Sequence, residues 1–317
     1  MRALITGAAG FCGRYLVSRL SREPGVTVAG LDITPAPQTG IPFADYFPAS
    51  ITDPKSVEDA LTDFRPEFLF HLAGSGLGSS ANTVPQARIF EVNSVGTVTL
   101  LEAALHRVPD CRVLLVGSAA EYGPVADHAL PVVETTYCQP ESAYGISKFA
   151  ATLAGLNAYR QHGLKVVVAR PFNVLGPGMP TGLVVSDLIS RAARALELTG
   201  PAVVEVGDLS TERDFIAAED VVNTYVGLLR GDFWGEIFNI CSGRAYSVRA
   251  VAEMLFANSH KRIVLSVNPS LVRPSAVRRF WGSYAKASRA IGFEPSIHLE
   301  DVLRQTWESQ FGVAACA

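Results

Sequence analysis

A tyrosine and a lysine four positions apart, with a serine upstream, are the residues best suited to chemistry. Tyr144 and Lys148 open a segment whose pattern predicts a helix, and residues four apart share one helix face. A phenol has an ordinary pKa of about 10, which a neighbouring ammonium group is expected to lower. Ser118 ends a predicted buried strand, where it can hydrogen-bond a reacting oxygen. The set predicts hydride delivery to a carbonyl carbon with proton delivery from Tyr144.

A glycine-rich turn near the start of the chain predicts where a hydride-carrying cofactor binds. An apolar strand at residues 2–6 runs into three glycines and then into helical spacing over residues 14–20. Glycines let the backbone approach a ligand closely, and the unpaired N–H groups of the following helix favour a pyrophosphate. The first two glycines are one residue further apart than in the usual fingerprint. The predicted contacts are Gly7, Gly10, Phe11, Cys12 and Gly13.

An acidic residue follows the next strand. Residues 26–31 predict that strand, and Asp32 ends it at the distance where a carboxylate accepts hydrogen bonds from an adenosine ribose diol. With no arginine close behind, the charge pattern favours NAD(H) over NADP(H), although a side chain from elsewhere could reverse this. Each feature also has a simpler interpretation. The glycine turn can connect strand and helix without a ligand, Asp32 can be a turn residue at the strand end, and the tyrosine can be exposed beside a solvated lysine. Together, the features favour a dinucleotide enzyme.

Composition narrows the class of protein. The chain has 317 residues and a net charge of −3, which gives no general attraction for nucleic acid or a membrane surface. Its five cysteines form no C-x-x-C pair or metal cluster, so we expect a reducing, cytoplasmic compartment and no metal. The strand at residue 2 leaves no room for a secretory signal, and no stretch is long enough to span a membrane.

Further cofactor contacts are expected at the ends of later strands. Ile51 and Asp53 follow a third strand, where Asp53 can meet the adenine amino group or simply cap a helix. His71 lies within an apolar strand, which favours a satisfied core histidine over a catalytic one. Asn93 is polar within a predicted helix over 86–106. Glycine-rich backbone after the His71 strand, over residues 74–80, predicts contacts on the diphosphate or nicotinamide side from Leu72, Ala73 and Gly74.

The alternation of strands and helices predicts the fold class. Buried strands at 112–117 and 166–169 continue the series, which predicts an α/β, Rossmann-like, doubly wound parallel sheet with right-handed crossovers. A smaller C-terminal α/β substrate lobe is expected beside it. The NAD(P)-binding domain is predicted to span 1–170, with 209–240 returning to it, and the lobe to span 171–208 and 241–317.

Other catalytic patterns are missing from the sequence. There is no Gly-x-Ser-x-Gly elbow, no Walker phosphate loop and no His-Glu-x-x-His zinc motif. These absences leave hydride transfer as the chemistry that the residues favour.

Several segments share their residue types with one known family. They are Gly7, Gly10, Gly13, Asp32, Asn93, Ser118, Tyr144, Lys148, Arg170–Gly178 and Arg213–Ile216. Through them the sequence resembles the extended short-chain dehydrogenase/reductase family that acts on nucleotide sugars, over nearly the whole chain. The resemblance implies that the second lobe clamps a nucleotide diphosphate through Asn173 and Arg213. Without it, Arg213 and Arg273 would be interpreted as surface cations or salt-bridge partners.

A finer resemblance lies near the C-terminus. Residues 271–277 and 282–287 are similar to the signature shared by GDP-mannose 4,6-dehydratases and GDP-4-keto-6-deoxy-D-mannose reductases, which implies that Arg273 contacts the nucleotide diphosphate or ribose. Ala276 stands where those enzymes carry an acidic residue. The resemblance also implies a homodimer formed through the helices predicted at 86–106 and 144–160.

Residues 117–123 separate reduction from dehydration. Removing water from a sugar needs an extra acid and base, which the dehydratases place directly after the serine or threonine. Ala119 and Ala120 stand there, with Ala119 expected beside the substrate, and Glu121 is one residue late and expected to point elsewhere. We therefore expect NAD(P)H-dependent reduction at C4 of GDP-4-keto-6-deoxy-D-mannose, giving a GDP-rhamnose or GDP-6-deoxytalose type product. A nucleotide-sugar 4-epimerase, a 4,6-dehydratase and a non-catalytic dinucleotide sensor are the alternatives.

Overall fold

The computed structural model describes residues 1–34, 43–76, 83–272 and 277–312. Three expectations fall outside these ranges: the contact from Arg273, the departure at Ala276, and the part of the glycine-rich segment over residues 77–80.

The first part of the chain alternates strands with helices. Its elements are β1 (Arg2–Thr6), α1 (Phe11–Leu20), β2 (Thr27–Asp32), β3 (Asp45–Pro48), α2 (Pro54–Phe64), β4 (Phe68–His71), α3 (Gln86–Phe90), α4 (Gly96–Arg107), β5 (Arg112–Val116), α5 (Ala143–His162) and β6 (Lys165–Pro171).

The later elements are shorter and more mixed. They are β7 (Asn173–Leu175), α6 (Val184–Glu197), β8 (Ala202–Val206), β9 (Glu212–Arg213), β10 (Phe215–Ala217), α7 (Ala218–Arg230), β11 (Ile237–Ile240), β12 (Tyr246–Ser247), α8 (Val248–Phe256), β13 (Ile263–Val267), β14 (Arg279–Phe280), α9 (Ala285–Ile291) and α10 (Leu299–Phe311).

Seven of the strands in the described residues form one parallel sheet in the order β11-β6-β5-β4-β1-β2-β3. Successive residues of β1 point to opposite faces, so Leu4 enters one core with α2 and α4, while Ile5 enters another with α1 and α7. Both residues are fully buried. Helices on both faces of a parallel sheet confirm the predicted Rossmann-like class.

The helix predicted over 86–106 is interrupted by a π-helical turn. The turn covers Glu91–Val95 and separates α3 from α4. The Thr97 hydroxyl donates to the Asn93 carbonyl at 2.6 Å. Apolar spacing alone did not predict this irregularity, which presents the side chain of Asn93 toward α5.

A third core lies beyond the sheet. It is built from α6, α8 and α10 together with β8, β13 and β10. Strand β7 pairs with β10, and strand β8 pairs with β13, so each pair forms a two-stranded sheet. Strands β12, β9 and β14 form a three-stranded sheet in that order. The chain also returns to the large sheet, because β11 pairs with β6 and α7 packs against α1. The predicted domain boundaries stay a prediction.

The helices in the described part of the chain are all too short or too polar to cross a membrane.

Candidate active site

The turn between β1 and α1 forms a cradle that side chains would fill. A Cβ on Gly7, whose φ is +70°, would lie 2.7 Å from the Ala73 backbone nitrogen. A Cβ on Gly13 would collide with the Gly7 carbonyl oxygen and lie 2.7 Å from that of Ala8. Gly10 is the N-cap of α1, and no side chain among the described residues caps that helix. The first N–H groups of α1 therefore fit a dinucleotide pyrophosphate.

Asp32 joins the end of β2 to this turn. One carboxylate oxygen accepts from the Ala9 backbone N–H at 3.0 Å. The other accepts from the backbone N–H and hydroxyl of Thr34, each at 3.0 Å. The carboxylate thus lies beside the cradle, where the ribose was expected, and also shapes the strand end. Its ribose contact stays a prediction.

Asp53 caps α2, which was one of the two roles considered for it. Its carboxylate accepts from the Lys55 backbone N–H at 3.2 Å and from the Ser56 hydroxyl at 2.5 Å, and the Ser56 hydrogen bond lowers the pKa of Asp53. Ile51 is buried, and its side chain lies against Gly96 at the start of α4. Adenine contacts from both residues stay predictions.

His71 is a satisfied core histidine, as expected. Its Nδ1 lies 2.7 Å from the Thr6 hydroxyl and its Nε2 lies 2.9 Å from the Thr97 hydroxyl. Because Thr97 donates its one proton to the Asn93 carbonyl, it must accept from an Nε2–H of His71. Burial, with a smaller effect from the charge of Lys148, lowers the pKa of His71 to about 3. His71 is therefore neutral and lies close to the catalytic lysine.

Asn93 connects the segment after β4 to the catalytic helix. Its side-chain oxygen accepts from the Ser75 N–H at 2.7 Å, and its amide donates to the Ser75 carbonyl at 2.9 Å. The same amide donates to the Ser147 hydroxyl at 2.9 Å. Asn93 is almost fully buried, so these bonds fix Leu72, Ala73 and Gly74 relative to α5.

The structure brings Ser118 and Tyr144 together. Ser118 follows β5 and caps a short 3₁₀ turn over Ala119–Glu121, where its hydroxyl accepts from the Ala120 N–H at 3.1 Å. Its side chain also lies close enough to Tyr144 to lower the pKa of that phenol. Tyr144 lies in the first turn of α5, whose N-cap Ser142 accepts from the Gly145 N–H at 3.0 Å. Lys148 lies one turn further along and is 4% exposed. All three residues lie near the carboxyl edge of the sheet, where ligands of such folds bind.

The expected lowering of the pKa of Tyr144 was wrong. Burial raises the pKa of Tyr144 to about 12, with smaller increases from the Glu121 and Cys12 side chains and a decrease from Ser118. Burial also lowers the pKa of Lys148 to about 8, against an increase from Glu121. The helix-face argument considered the lysine charge but not the loss of water around the phenol. At neutral pH the phenol keeps its proton.

Glu121 points away from the edge of the sheet, as expected, but its contacts were not foreseen. It is fully buried, and one carboxylate oxygen accepts from the Ser118 N–H at 2.8 Å and from the Thr152 hydroxyl at 3.0 Å. The other accepts from the Arg170 Nε at 2.7 Å. A buried arginine in an apolar strand was the signal that a buried carboxylate had to face it.

The predicted substrate residues lie on the short strands beyond the sheet. The exposed Asn173 donates its side-chain amide to the Asp214 carbonyl at 2.6 Å. Arg213 donates to the carbonyls of Glu212 at 2.8 Å and Val277 at 3.0 Å. Burial lowers the pKa of Arg213. Arg213 therefore holds the segment that follows Arg273, and its contact with a substrate stays a prediction.

Two side chains of α1 hold the segment after β7 against the cofactor cradle. Tyr15 donates its hydroxyl proton to the Pro177 carbonyl at 3.1 Å, and Arg14 donates to the Gly178 carbonyl at 3.2 Å. Sequence reasoning missed both contacts, because they join residues more than 160 positions apart. They place the end of the predicted clamp segment next to the glycine turn.

A doubly wound sheet with a pyrophosphate cradle and a Ser-Tyr-Lys set at its carboxyl edge defines an NAD(P)-dependent oxidoreductase of the extended short-chain type. The chain belongs to the NAD dependent epimerase/dehydratase family, whose model matches residues 3–241. The expected family and its NAD(P) cofactor are thereby confirmed.

Individual relatives narrow the comparison. The chain is 30% identical to the GDP-6-deoxy-D-mannose reductase of Pseudomonas aeruginosa, with 98% of each chain covered. It is 28% identical to the GDP-6-deoxy-D-talose 4-dehydrogenase of Aggregatibacter actinomycetemcomitans, with 92% of each covered. The solved structure of RMD from Pseudomonas aeruginosa complexed with NADPH superposes with a TM-score of 0.84 at 30% identity, covering 97% of this chain and 98% of that one. UDP-glucose 4-epimerases also match.

Proposed function

We propose that the protein uses NAD(P)H to reduce the C4 keto group of a nucleotide-activated 4-keto-6-deoxyhexose, with GDP-4-keto-6-deoxy-D-mannose as the favoured substrate. The observation that carries the proposal is that the Ser118 side chain lies close enough to Tyr144 to lower its pKa, with Lys148 one turn further along α5 and two alanines directly after Ser118. Keto reduction needs only those three polar residues. Glu121, the acid that follows the two alanines, is bound to Arg170 in the interior. The two reductase and dehydrogenase relatives of GDP-linked 6-deoxy sugars support the same substrate class.

The cofactor supplies the hydride when it is bound, and NAD(H) is slightly favoured because Asp32 would repel a 2′-phosphate. The N–H groups at the start of α1 hold its pyrophosphate, and Lys148 binds the nicotinamide ribose. Ser118 hydrogen-bonds the keto oxygen and so orients it toward Tyr144. These residues have their polar atoms at the carboxyl edge of the sheet, where both ligands can meet.

Tyr144 acts as the general acid. Its raised pKa means that the phenol carries a proton at neutral pH, which is the form that donates to the alkoxide formed on reduction. The Lys148 ammonium group and the Ser118 hydroxyl then stabilise the phenolate that remains. The cation is available because the pKa of Lys148, although lowered by burial, is still about 8.

The substrate nucleotide is proposed to lie between the sheet and the lobe formed by 171–208 and 241–317. Asn173, Arg213 and Arg273 would contact its diphosphate or ribose, with Ala119 beside the sugar. The contacts that hold residues 177 and 178 against α1 support this placement, because they bring the clamp segment next to the cofactor cradle.

The protein is proposed to form a homodimer in the cytoplasm. Four apolar side chains on the π-helical turn, α4 and α5 are 39–55% exposed: Val95, Val98, Ile146 and Leu153. Because α4 packs against α5, the two helices present a paired face to a second copy. The thiols of Cys12, Cys111, Cys138 and Cys241 are free, which fits a reducing compartment. Small-molecule substrates, and no nucleic acid or membrane, are the partners we propose.

The test offers the purified protein GDP-, dTDP- and UDP-linked 4-keto-6-deoxy sugars with NADH or NADPH, and follows cofactor oxidation. Oxidation with the GDP sugar is expected, and NMR of the product gives its C4 configuration. Tyr144→Phe should lower kcat by about 10²- to 10⁴-fold, because the general acid is lost, while the Kd of the cofactor changes little. Unchanged turnover in that variant contradicts the mechanism. Tightly held NAD with turnover of unreduced nucleotide sugars would identify a 4-epimerase instead.

A further inference from the structure

The geometry points to Glu121 as a positioning residue that holds Ser118, the catalytic helix α5 and strand β6 in register with one another. This inference rests on the proposed reductase for its effect on turnover, but not for its effect on the site itself. Glu121 touches neither substrate nor cofactor in this role. It acts through the residues that do.

The Glu121 carboxylate binds three elements of the site at once. It accepts from the Ser118 N–H after β5, from the Thr152 hydroxyl on α5 and from the Arg170 guanidinium on β6. Thr152 lies one turn beyond Lys148, so this bond fixes the helix that also carries Tyr144. Three residues beyond Arg170 the chain reaches Asn173, the first residue of the proposed substrate clamp.

The surrounding residues leave space for this carboxylate and hold its counter-charge. A Cβ on Gly117 would collide with a Glu121 oxygen and lie 3.2 Å from the Thr152 hydroxyl. Arg170 is 2% exposed, and its guanidinium lies 4.8 Å from the ring centroid of Tyr122. The Tyr122 hydroxyl in turn donates to Asn239 at 2.7 Å. A charge buried this deeply needs such a partner, and Arg170 supplies it.

The position of Glu121 gives it electrostatic influence on the catalytic pair. Burial raises the pKa of Glu121 itself, and the Arg170 guanidinium opposes that rise and favours the carboxylate. The ionised carboxylate in turn raises the pKa of Tyr144 and of Lys148. A protonated phenol and a charged ammonium are the forms that the proposed reduction requires.

Three variants test the inference in the full-length protein. Glu121→Gln keeps an acceptor for the Ser118 N–H and removes the charge. Glu121→Leu combined with Arg170→Met removes both the acceptor and the charge, without leaving a buried ion unpaired, and so covers the case in which the single variant does not fold. Thr152→Val is the matched control, because it removes one hydrogen bond to Glu121 and leaves the ion pair in place.

The first measurement needs no substrate. Protein labelled with ¹³C at the tyrosine ζ carbon is titrated by NMR, and the Tyr144 signal is the one missing from Tyr144→Phe. We expect both Glu121 variants to titrate Tyr144 about one pH unit lower than the unsubstituted protein, and Thr152→Val to titrate it at the same pH. Cofactor Kd, from the quenching of protein fluorescence by NADPH, should change less than about twofold, since Glu121 is not in the cradle.

The second measurement is turnover with GDP-4-keto-6-deoxy-D-mannose. Glu121→Leu combined with Arg170→Met should lower kcat about 100-fold, because Ser118 is no longer held. Glu121→Gln should lower kcat by a smaller factor. If the double variant keeps both the Tyr144 titration and the kcat of the unsubstituted protein, the inference is overturned and the ion pair is a purely structural feature. If the unsubstituted protein does not oxidise NADPH at all, the proposed function fails, whereas the NMR titration still decides the role of Glu121.

Discussion

Asp214 makes the protein less stable as the pH rises, which is the reverse of the usual effect of a carboxylate. The carboxylate is fully buried and accepts from the backbone N–H groups of Ser242 at 2.8 Å, Gly243 at 3.0 Å and Gly282 at 3.3 Å. Even with these donors and the Ser242 hydroxyl, burial raises the pKa of Asp214 to about 6. The folded state therefore holds this proton more tightly than the unfolded state does. Stability from Asp214 is present at low pH and is lost as the pH rises through about 6.

The size of the effect follows from the two pKa values. An unfolded aspartate has a pKa of about 3.9, and each pH unit between the two states corresponds to about 1.4 kcal/mol. The folded value of about 6 then means that ionising Asp214 lowers the free energy of unfolding by about 2 kcal/mol between pH 4 and pH 7, because part of the full difference of about 3 kcal/mol is already lost at pH 4. Asp214→Asn removes this slope, although it also weakens the contacts to Ser242 and Gly243.

Urea unfolding followed at several pH values between 4 and 7.5 measures the slope. The unfolding free energy of the unsubstituted protein should fall by about 2 kcal/mol relative to that of Asp214→Asn as the pH rises across this range. Asp208 is the control, because hydrogen bonds from Ser210 lower its pKa on an exposed loop. The unfolding free energy of the unsubstituted protein should therefore rise, relative to that of Asp208→Asn, as the pH rises. A difference between the unsubstituted protein and Asp214→Asn that stays constant with pH would refute the buried-carboxylate argument.

Two further predictions concern the cofactor cradle and the dimer. Gly13→Ala should raise the Kd for NADPH at least about tenfold, because the added methyl collides with the Gly7 carbonyl oxygen and must move the turn. Gly25→Ala strains the backbone outside the cradle, since φ there is +74° and no atom lies within 4 Å of the added methyl, and so controls for strain alone. Equal Kd values in both variants would contradict the prediction. Val98→Glu combined with Leu153→Glu should convert the proposed dimer to a monomer, as measured by light scattering, because each substitution places a charge on the exposed apolar face. If the unsubstituted protein is already a monomer, the proposed dimer is refuted.

Local patterns predicted the parts of the molecule that local physics determines. The apolar run at residues 166–168 became a fully buried strand, and the glycines at 7 and 13 lie where a Cβ has no space. Tyr144 and Lys148 share a helix because their spacing requires it. Each of these inferences needs only neighbours in sequence, which is why the fold class and the catalytic set were predictable.

Contacts between distant segments determined what the sequence did not predict. The side chain of Asn93, in the π-helical turn, bonds Ser75, which lies 18 residues earlier, and Ser147, which lies 54 residues later. The orientation of Glu121 depends on Arg170, which lies 49 residues further along the chain. The pKa of Tyr144 depends on how many atoms surround the phenol in the folded protein. Spacing along a helix carries no information about that number.

The burial that made the sequence-based pKa of Tyr144 wrong also bears on the direction of the proposed reaction. A 4-epimerase must first remove a hydride and a proton from the sugar alcohol, so its tyrosine begins the cycle as a base. A reductase needs the same tyrosine to begin as an acid. With a pKa of about 12, Tyr144 begins as the acid, and Glu121 contributes to that preference from the interior. A protonated Tyr144 is therefore the form that the proposed reductase requires at the start of its cycle, whereas a 4-epimerase would have to deprotonate it first.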